Sequence, residues 1–336
     1  MPTLSAQPAV IRADPNWLPH AFDPARASFT FVRIPRDRLA QSAFLSAVGE
    51  EDGYARAELP LDQLGASAAP AATPVCFIFH TAFCRSTLLA RALEQPGISA
   101  GLSEPGIIAS IANAGPAGQA ALVPAAQLLA RPWGAGEAVF IKPTNHANRL
   151  APALMQALPQ ARAVLMTNPL PSFLAAVVRK GMLGRRWGRL LYLELMSYAG
   201  MDLGMDPREQ FAMTDLQAAG LAWFLNQRFL AALGGMFGER VRVLDGDAFA
   251  ADPAGTLARV YAFAGVTVPD AVVAGIARGP VFASDAKTGA DFAEKAARDE
   301  AATRSAVTED EIAKVTEWIG MIAQQAGVSV PLRGAL

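Results

Sequence analysis

Residues 75–89 read VCFIFHTAFCRSTLL, and this stretch determines the fold that we expect. Its first five residues form a continuous apolar run of the kind that is buried on both faces of a parallel sheet. A helix is predicted directly afterwards, over 86–94, where Ser86 and Thr87 follow a short loop. A buried strand that leads into a helix is the beginning of a strand–helix–strand unit, so the pattern predicts a parallel sheet.

The rest of the chain repeats this alternation of strand and helix. Apolar strands are predicted at 138–141, 162–166 and 240–244, and helices at about 147–158, 171–200, 212–236, 255–264 and 308–325. We therefore predict an α/β fold, in which a doubly wound parallel sheet is flanked by helices.

The chain is divided into an N-terminal extension, 1–70, and a main domain, 71–336. The extension contains one strand signal at 28–34 and a helical stretch at 39–45, and a run of small residues at 65–74 is typical of a linker. Because the extension has too few periodic apolar segments for a core of its own, we expect it to pack on the main body.

The composition excludes several classes of protein. Of the 336 residues, 52% are hydrophobic and 18% are charged, which argues against disorder, and the formal net charge of −1 provides no field that would attract nucleic acid. The uncharged segment 105–130 is interrupted by proline, glycine and polar residues, so no membrane span is predicted. The chain has only two cysteines, and its first residues do not resemble a signal peptide, so a cytoplasmic location is predicted.

The loop at 80–87 is the first candidate site, because ligands of open parallel sheets collect at the carboxyl ends of strands. Ser86 and Thr87 open the helix, where free backbone N–H groups attract anions, and Arg85 adds a positive charge. The loop has no glycine and places Arg85 where a Walker A loop has lysine, so ATP or GTP hydrolysis is poorly supported. The alternative interpretation is that Ser86 or Thr87 only caps a buried helix.

Four segments, taken in order, resemble the sulfotransferase superfamily. Residues 83–89, FCRSTLL, are similar in their last four positions to the family's phosphosulfate loop, R/K-S-G-[ST]-T-x-L. Residues 102–105, LSEP, stand where tyrosylprotein-type and many bacterial members carry an acidic residue. Residues 140–146 and 158–169 are similar to a block that begins K-x-P and ends R-[ND]-P, and 223–266 resembles the family's closing stretch.

The resemblance spans about 75–290 and implies a P-loop fold of the sulfotransferase type. It also implies 3′-phosphoadenylyl sulfate as the sulfuryl donor, a small-molecule or other hydroxyl-bearing acceptor, and no metal. The candidate catalytic residues are Glu104, Lys142 and His146. Contacts with the donor are predicted for Thr81, Cys84, Arg85, Ser86, Thr87, Asn168 and Lys287.

The chain departs from the family at three positions. Phe83 cannot donate to a sulfonate oxygen, Thr167 has no charge where the family's arginine meets the 3′-phosphate, and Ala175 replaces a serine. Arg85 is one candidate for compensation. The other is a group of cations, which is equally typical of a solvated helix face: Arg179, Lys180, Arg185, Arg186 and Arg189.

Two residues are candidates for the general base. Histidine has the better intrinsic pKa, near 6.5, but Glu104 matches the acidic position of the family more closely than His146 does, and we favour it. Either residue could instead be a hydrogen-bonded loop residue. Cys84 is better explained as a small buried hydrophobe than as a reactive thiol, and a plain surface lysine explains Lys287 equally well.

Three functions are consistent with these features. The leading one is a sulfotransferase acting on a hydroxyl acceptor. The alternatives are a P-loop phosphotransferase or nucleotide-binding protein that uses ATP, and a non-catalytic binding protein on the same fold. Nucleotide preference separates the three, because adenosine 3′,5′-bisphosphate would bind the first, ATP with magnesium the second, and neither the third.

Overall fold

The computed structural model of the protein describes residues 7–64, 73–283, 306–332 and 336. Its strands are β1 (Trp17–Asp23), β2 (Ser28–Arg33), β3 (Arg56–Pro60), β4 (Val75–His80), β5 (Ser99–Ser103), β6 (Ala138–Lys142), β7 (Arg162–Thr167) and β8 (Val241–Asp245). Its helices are α1 (Pro8–Ala13), α2 (Leu61–Leu64), α3 (Ser86–Ala92), α4 (Gly106–Asn113), α5 (Gln119–Leu129), α6 (Ala151–Ala157), α7 (Leu170–Arg179), α8 (Gly181–Ala199), α9 (Pro207–Ala212), α10 (Asp215–Phe237), α11 (Gly246–Ala251), α12 (Pro253–Ala264), α13 (Asp270–Ala277), α14 (Pro280–Ala283) and α15 (Ala306–Gln325). Short 3-10 turns lie at Arg36–Gln41, Leu45–Ala47, Gly115–Gly118, Asn145–Leu150 and Gly238–Arg240.

The main sheet has the strand order β5-β6-β4-β7-β8, and every neighbouring pair is parallel. The first strand, β4, is therefore central, and the chain places later strands on both sides of it. This arrangement confirms the predicted α/β class with a doubly wound parallel sheet. Because the strands run the same way, all their carboxyl ends meet at one edge, where ligands of such sheets bind.

Both faces of the main sheet are covered, which explains the unbroken apolar run in β4. Phe77 and Phe79 point into a core that also contains side chains of α4, α5 and α6. Cys76 and Ile78 point the other way, into a core built with α3, α12 and α13. A third cluster joins α7, α8, α10 and α15. Alternate residues of one strand thus enter different cores, as the two-residue period of a strand requires.

The sequence prediction differs from the structure in several elements. The helix predicted at 171–200 is two helices, because Gly181 has a φ of +58° that a continuous helix does not allow. The predicted helical stretch at 39–45 consists of parts of two 3-10 turns, at Arg36–Gln41 and Leu45–Ala47. Strand β5 was not predicted, because SAGLS lacks the β-branched and aromatic residues that strands favour.

The N-terminal extension forms a three-stranded antiparallel sheet in the order β1-β2-β3, of which only β2 was predicted. Phe29 and Phe31 of β2 are fully buried, in the core cluster that contains residues of α4 and α6. The buried guanidinium of Arg131, which follows α5, donates to the carbonyl oxygens of Ile11 at 2.8 Å and Trp17 at 2.6 Å. The extension thus shares both apolar contacts and hydrogen bonds with the helices beside the main sheet. Most of the predicted linker, residues 65–72, lies outside the described residues.

Candidate functional site

The loop between β4 and α3 has a strained backbone. Phe83 and Arg85 have φ values of 61° and 63°, in the left-handed region that favours glycine, and Glu104 after β5 has a φ of 50°. Each such residue costs about 1–2 kcal/mol relative to a right-handed conformation. Within the described part of the chain, the other non-glycine residue with positive φ is Ala27, so this strain is concentrated at the carboxyl edge of the main sheet. Strain of this kind clusters at binding and catalytic sites.

Asn168, directly after β7, forms hydrogen bonds with the loop between β4 and α3. Thr81 donates through Oγ1 to Asn168 Oδ1 at 3.1 Å, and Asn168 Nδ2 donates to the carbonyl oxygen of Phe83 at 3.5 Å. The indole N–H of Trp223 in α10 donates to the carbonyl oxygen of Asn168 at 2.9 Å. Thr81 and Asn168 are both buried, and these contacts position the loop. Their predicted contact with the donor stays a prediction.

Cys84 is the buried centre of the loop. Its Sγ donates to the carbonyl oxygen of Thr81 at 2.8 Å. Burial raises the pKa of the Cys84 thiol, while hydrogen bonds with Ser86 and the positive charge of Lys142 act in the opposite direction. The side chain is thus a packed thiol, as the sequence indicated.

His80, the last residue of β4, connects the loop with the end of β6. Its Nδ1 lies 2.8 Å from the carbonyl oxygen of Thr81, and its Nε2 lies 3.1 Å from that of Pro143. Asn148 donates to the carbonyl oxygen of His80 at 2.9 Å. The loop and the segment after Lys142 are therefore joined through a single imidazole.

Lys142 and Glu104 form an ion pair at the ends of neighbouring strands. Lys142 Nζ donates to Glu104 Oε1 at 2.6 Å, and the backbone N–H of Glu104 donates to the carbonyl oxygen of Lys142 at 2.7 Å. The lysine is fully buried, whereas 19% of the glutamate side chain is exposed. The pair thus has a charged and accessible carboxylate directly above a buried ammonium group.

The N-terminal extension covers one side of this ion pair. The Phe44 ring centroid lies 5.7 Å from Lys142 Nζ, and the backbone N–H of Ser46 donates to the carbonyl oxygen of Glu104 at 2.9 Å. Neither residue was a candidate in the sequence. The sequence gives only an indirect signal for them. The N-terminal extension has few periodic apolar residues, so it is expected to lie on the surface of another element.

His146 is held in a different environment. Its Nδ1 lies 2.6 Å from Glu194 Oε1 in α8, and its Nε2 lies 2.7 Å from Asn113 Oδ1 at the end of α4. Both ring nitrogens are therefore engaged with acceptors from flanking helices. Neither contact involves Lys142 or Glu104, so the structure pairs two of the three predicted catalytic residues with each other and places the third in a separate cluster.

Arg85 forms an ion pair with Asp247, which follows β8, and donates to the carbonyl oxygen of Gly246 at 3.3 Å. Ser172 of α7 donates to the other oxygen of Asp247, Oδ2, at 2.9 Å. Asp247 was not a candidate in the sequence, although an acidic residue just after a parallel strand is a recognisable signal. It joins the ends of β7 and β8 to the loop.

The loop and the end of β8 are in very close backbone contact at Gly246. A Cβ at this position would collide with the carbonyl oxygen of Cys84 and lie 3.2 Å from that of Thr167. The Thr167 side chain is fully buried, and its Oγ1 has no hydrogen-bond partner among the described residues. Glycine is therefore required at 246 for the loop to keep its position.

The five predicted cations lie in different environments. Arg185 pairs with Glu311 at 3.6 Å, and Arg189 forms an ion pair with Asp215. These two residues connect α8 with α15 and α10. Exposed side chains are those of Arg179, Lys180 and Arg186. Lys287, which was predicted to contact the donor, lies outside the described residues.

Within residues 7–64, 73–283, 306–332 and 336, no cluster of three or more histidine, cysteine, aspartate or glutamate side chains is arranged to hold a metal ion. Across the same ranges, every helix is too short or too polar to span a membrane.

No family model and no curated protein matches this chain. Two solved structures resemble it. One is a sulfotransferase domain from the curacin biosynthetic pathway, with 11% identity and a TM-score of 0.41 over 77% of this chain and 99% of that one. The other is a sulfotransferase domain from the Synechococcus PCC 7002 olefin synthase, with 16% identity and a TM-score of 0.41 over 79% of this chain and 99% of that one. The α/β assignment rests on the order and direction of the strands.

Proposed function

We propose that this chain is a sulfotransferase that moves a sulfuryl group from 3′-phosphoadenylyl sulfate to a hydroxyl acceptor. The observation that carries the proposal is the ion pair between buried Lys142 and accessible Glu104, at the carboxyl edge of a parallel sheet and beside a strained loop. Sulfuryl transfer needs groups that bind anions, a cation near the bridging oxygen and a base for the acceptor proton. The loop offers groups that bind anions, Lys142 offers the cation, and Glu104 offers the base.

Each residue has a separate role in the proposed reaction. Ser86 and Thr87 would donate hydrogen bonds to the sulfonate oxygens. The acceptor oxygen attacks sulfur, the bond from sulfur to the phosphate oxygen breaks, and the nucleotide leaves with that electron pair. Lys142 would stabilise the charge that develops on the departing oxygen, and Glu104 would take the acceptor proton.

Glu104 is favoured over His146 as the base because of their contacts. In Glu104, Oε1 accepts from Lys142, and Oε2 has no hydrogen-bond partner among the described residues. In His146, both ring nitrogens face acceptors on other elements. A hydroxyl acceptor could reach a ring nitrogen of His146 only by displacing one of these contacts, whereas the glutamate has an oxygen available.

The other features of the site can accommodate an anion. Arg85 would add positive charge if its guanidinium exchanged part of its contact with Asp247 for an oxygen of 3′-phosphoadenylyl sulfate. Such an exchange is favourable because charged hydrogen bonds to sulfonate or phosphate are strong. The two free cysteines fit a reducing compartment such as the cytoplasm, which is where we place the protein. Residues Phe44 and Ser46 of the extension would then border the acceptor side of the site.

Nucleotide titration is the direct test of the proposal. By calorimetry we expect the protein to bind adenosine 3′,5′-bisphosphate and to bind ATP with magnesium far more weakly. Arg85→Ala should weaken the binding of the bisphosphate by about 1–3 kcal/mol, because it removes a charged contact. A preference for ATP would support a phosphotransferase instead, and the absence of any nucleotide binding would support a non-catalytic protein.

The catalytic roles are tested by transfer of labelled sulfate from the donor to a panel of hydroxyl compounds. Glu104→Gln should keep nucleotide affinity and lower turnover by about two to four orders of magnitude, as expected for the loss of a general base. His146→Gln is the matched control and should retain most of the turnover. If His146→Gln abolishes turnover while Glu104→Gln leaves it intact, the base is His146.

A further inference from the structure

One face of α8 is both apolar and exposed. At 3.6 residues per turn, Met182, Leu183, Leu190 and Leu193 fall within an arc of about 100° on this helix. The exposed fractions of these side chains are 81%, 79%, 54% and 62%, respectively. We call these four residues the α8 face. They are unusual because the solvent side of a surface helix normally carries polar residues.

The opposite side of α8 is also apolar, and it supplies the core. Leu191 and Leu195 are buried in the cluster shared with α10, and a Cβ at Gly188 would lie 2.8 Å from the Cβ of Ala219 in α10. This tight packing does not involve the α8 face. The core side of α8 is already packed against α10, so the exposed apolar side chains of the α8 face do not contribute to that core, and such a cluster on a surface helix is typical of a binding surface.

The charges around the α8 face are positive. Arg186 falls in the same arc, and Lys180 is exposed directly before the helix. The nearest acidic side chain along the helix, Glu194, is engaged by His146. The whole chain has a net charge of −1, so the cations around the α8 face are a local feature and not a property of the whole protein.

We propose that the α8 face binds a lipid surface with anionic headgroups. The four apolar side chains lie on one helix together with Arg186, a combination that suits an interfacial layer beneath anionic headgroups. Leucine and methionine can enter the interfacial layer while arginine and lysine reach the headgroups with their long side chains. Phe211 of α9 is 87% exposed and lies near this helix, because Arg189 donates to the carbonyl oxygen of Met213. An exposed aromatic ring beside such a helix is typical of interfacial anchors.

Vesicle sedimentation tests this proposal with the full chain. We expect binding to phosphatidylcholine vesicles that contain phosphatidylglycerol, and weaker binding to pure phosphatidylcholine or at high salt. The double variant Leu190→Ser, Leu193→Ser should lower the partition coefficient by about tenfold or more, because it removes two buried leucines from the interface. Arg186→Glu should also lower it, and only for the anionic vesicles.

The matched control is the double variant Met236→Ser, Met321→Ser, which changes two exposed apolar side chains on α10 and α15. It should bind vesicles as the unchanged protein does, and thermal melts should show that all variants are folded. The proposal is overturned if the unchanged protein binds no vesicle, or if the two double variants bind equally well. It is also overturned if the protein is a dimer in solution that the Leu190→Ser, Leu193→Ser variant dissociates, since a second copy would then cover the face.

Discussion

Lys142 donates a 2.6 Å hydrogen bond to Glu104, and the two residues are fixed relative to each other by the register of β5 and β6, in which Ser103 is the partner of Lys142. The lysine is completely buried, and this carboxylate compensates its charge. Stability and the proposed chemistry therefore depend on the same contact.

Glu104→Ala should destabilise the fold by about 1–3 kcal/mol, because it removes the carboxylate that pairs with the buried ammonium group of Lys142. The double variant Lys142→Met, Glu104→Gln removes both charges and should recover much of this loss. Urea denaturation of the three proteins provides the comparison. If the double variant is no more stable than Glu104→Ala, the ion pair does not compensate the buried charge.

Gly246→Ala should displace the loop, because the new methyl group would collide with the carbonyl oxygen of Cys84. We expect a loss of stability of about 1–3 kcal/mol and a clear loss of affinity for adenosine 3′,5′-bisphosphate. Gly235→Ala is the control: nothing lies within 4 Å of its Cβ position, and alanine favours the helix. It should be neutral or slightly stabilising in the same thermal and calorimetric measurements, and equal effects of both changes would argue against a role for Gly246 in loop position.

Arg36 joins the extension to the main body through buried carboxylates. Its guanidinium lies 2.8 Å from Glu94 Oε1 and 3.4 Å from Glu137 Oε2, and the first of these residues is held further by the N–H of Gly101 at 2.7 Å. Arg36→Met should cost about 3–5 kcal/mol, because two carboxylates lose their cation. Arg26→Met breaks exposed pairs only and should cost less than about 1 kcal/mol.

Unfolding of the Arg36→Met variant also tests whether residues 1–70 form a separate domain. If residues 1–70 pack on the main body without folding independently, urea unfolding of Arg36→Met should remain a single transition at lower urea concentration. A separate early transition of the extension would instead indicate an independent domain.

Both cysteines should be unreactive in the folded protein. Burial raises the pKa of Cys76 to about 12 and raises that of Cys84 as well, so neither thiol forms the reactive thiolate near neutral pH. A thiol reagent such as dithionitrobenzoate should label no cysteine in the native state at pH 8 and both in urea. Rapid labelling of Cys84 in the native protein would mean that the loop opens.

His20 should make stability dependent on pH. Burial, and then the charge of Arg56, lower the pKa of this imidazole from its ordinary value of 6.5. Between the lower folded pKa and 6.5 the unfolded chain binds more protons, so the free energy of unfolding decreases as pH falls through this window. His20→Gln should flatten this dependence in denaturation measured from pH 7.5 to 5.5, and an unchanged slope would exclude the histidine as its source.

The sequence by itself determined the central features of the main sheet. The run at 75–79 predicted a strand buried on both faces, because only apolar residues can fill both cores, and alternating strands and helices predicted parallel pairing. These signals are local, so they are visible without the fold. The strand predicted at 138–141 also placed Lys142 at a strand end, where a parallel sheet brings side chains together.

Only the tertiary structure determined that Ser99–Ser103 forms strand β5 and which residues contact the charged side chains of the site. The residues at Ser99–Ser103 form a strand because small side chains fit the space beside α3, where a Cβ at Gly101 would collide with the carbonyl oxygen of Ala90. Asp247 pairs with Arg85 across 162 positions, and Phe44 of the extension lies beside Lys142. Contacts between such distant segments depend on how the helices and sheets pack. No local pattern of residues encodes that packing, and this is why the sequence did not indicate Asp247 and Phe44 as partners of Arg85 and Lys142.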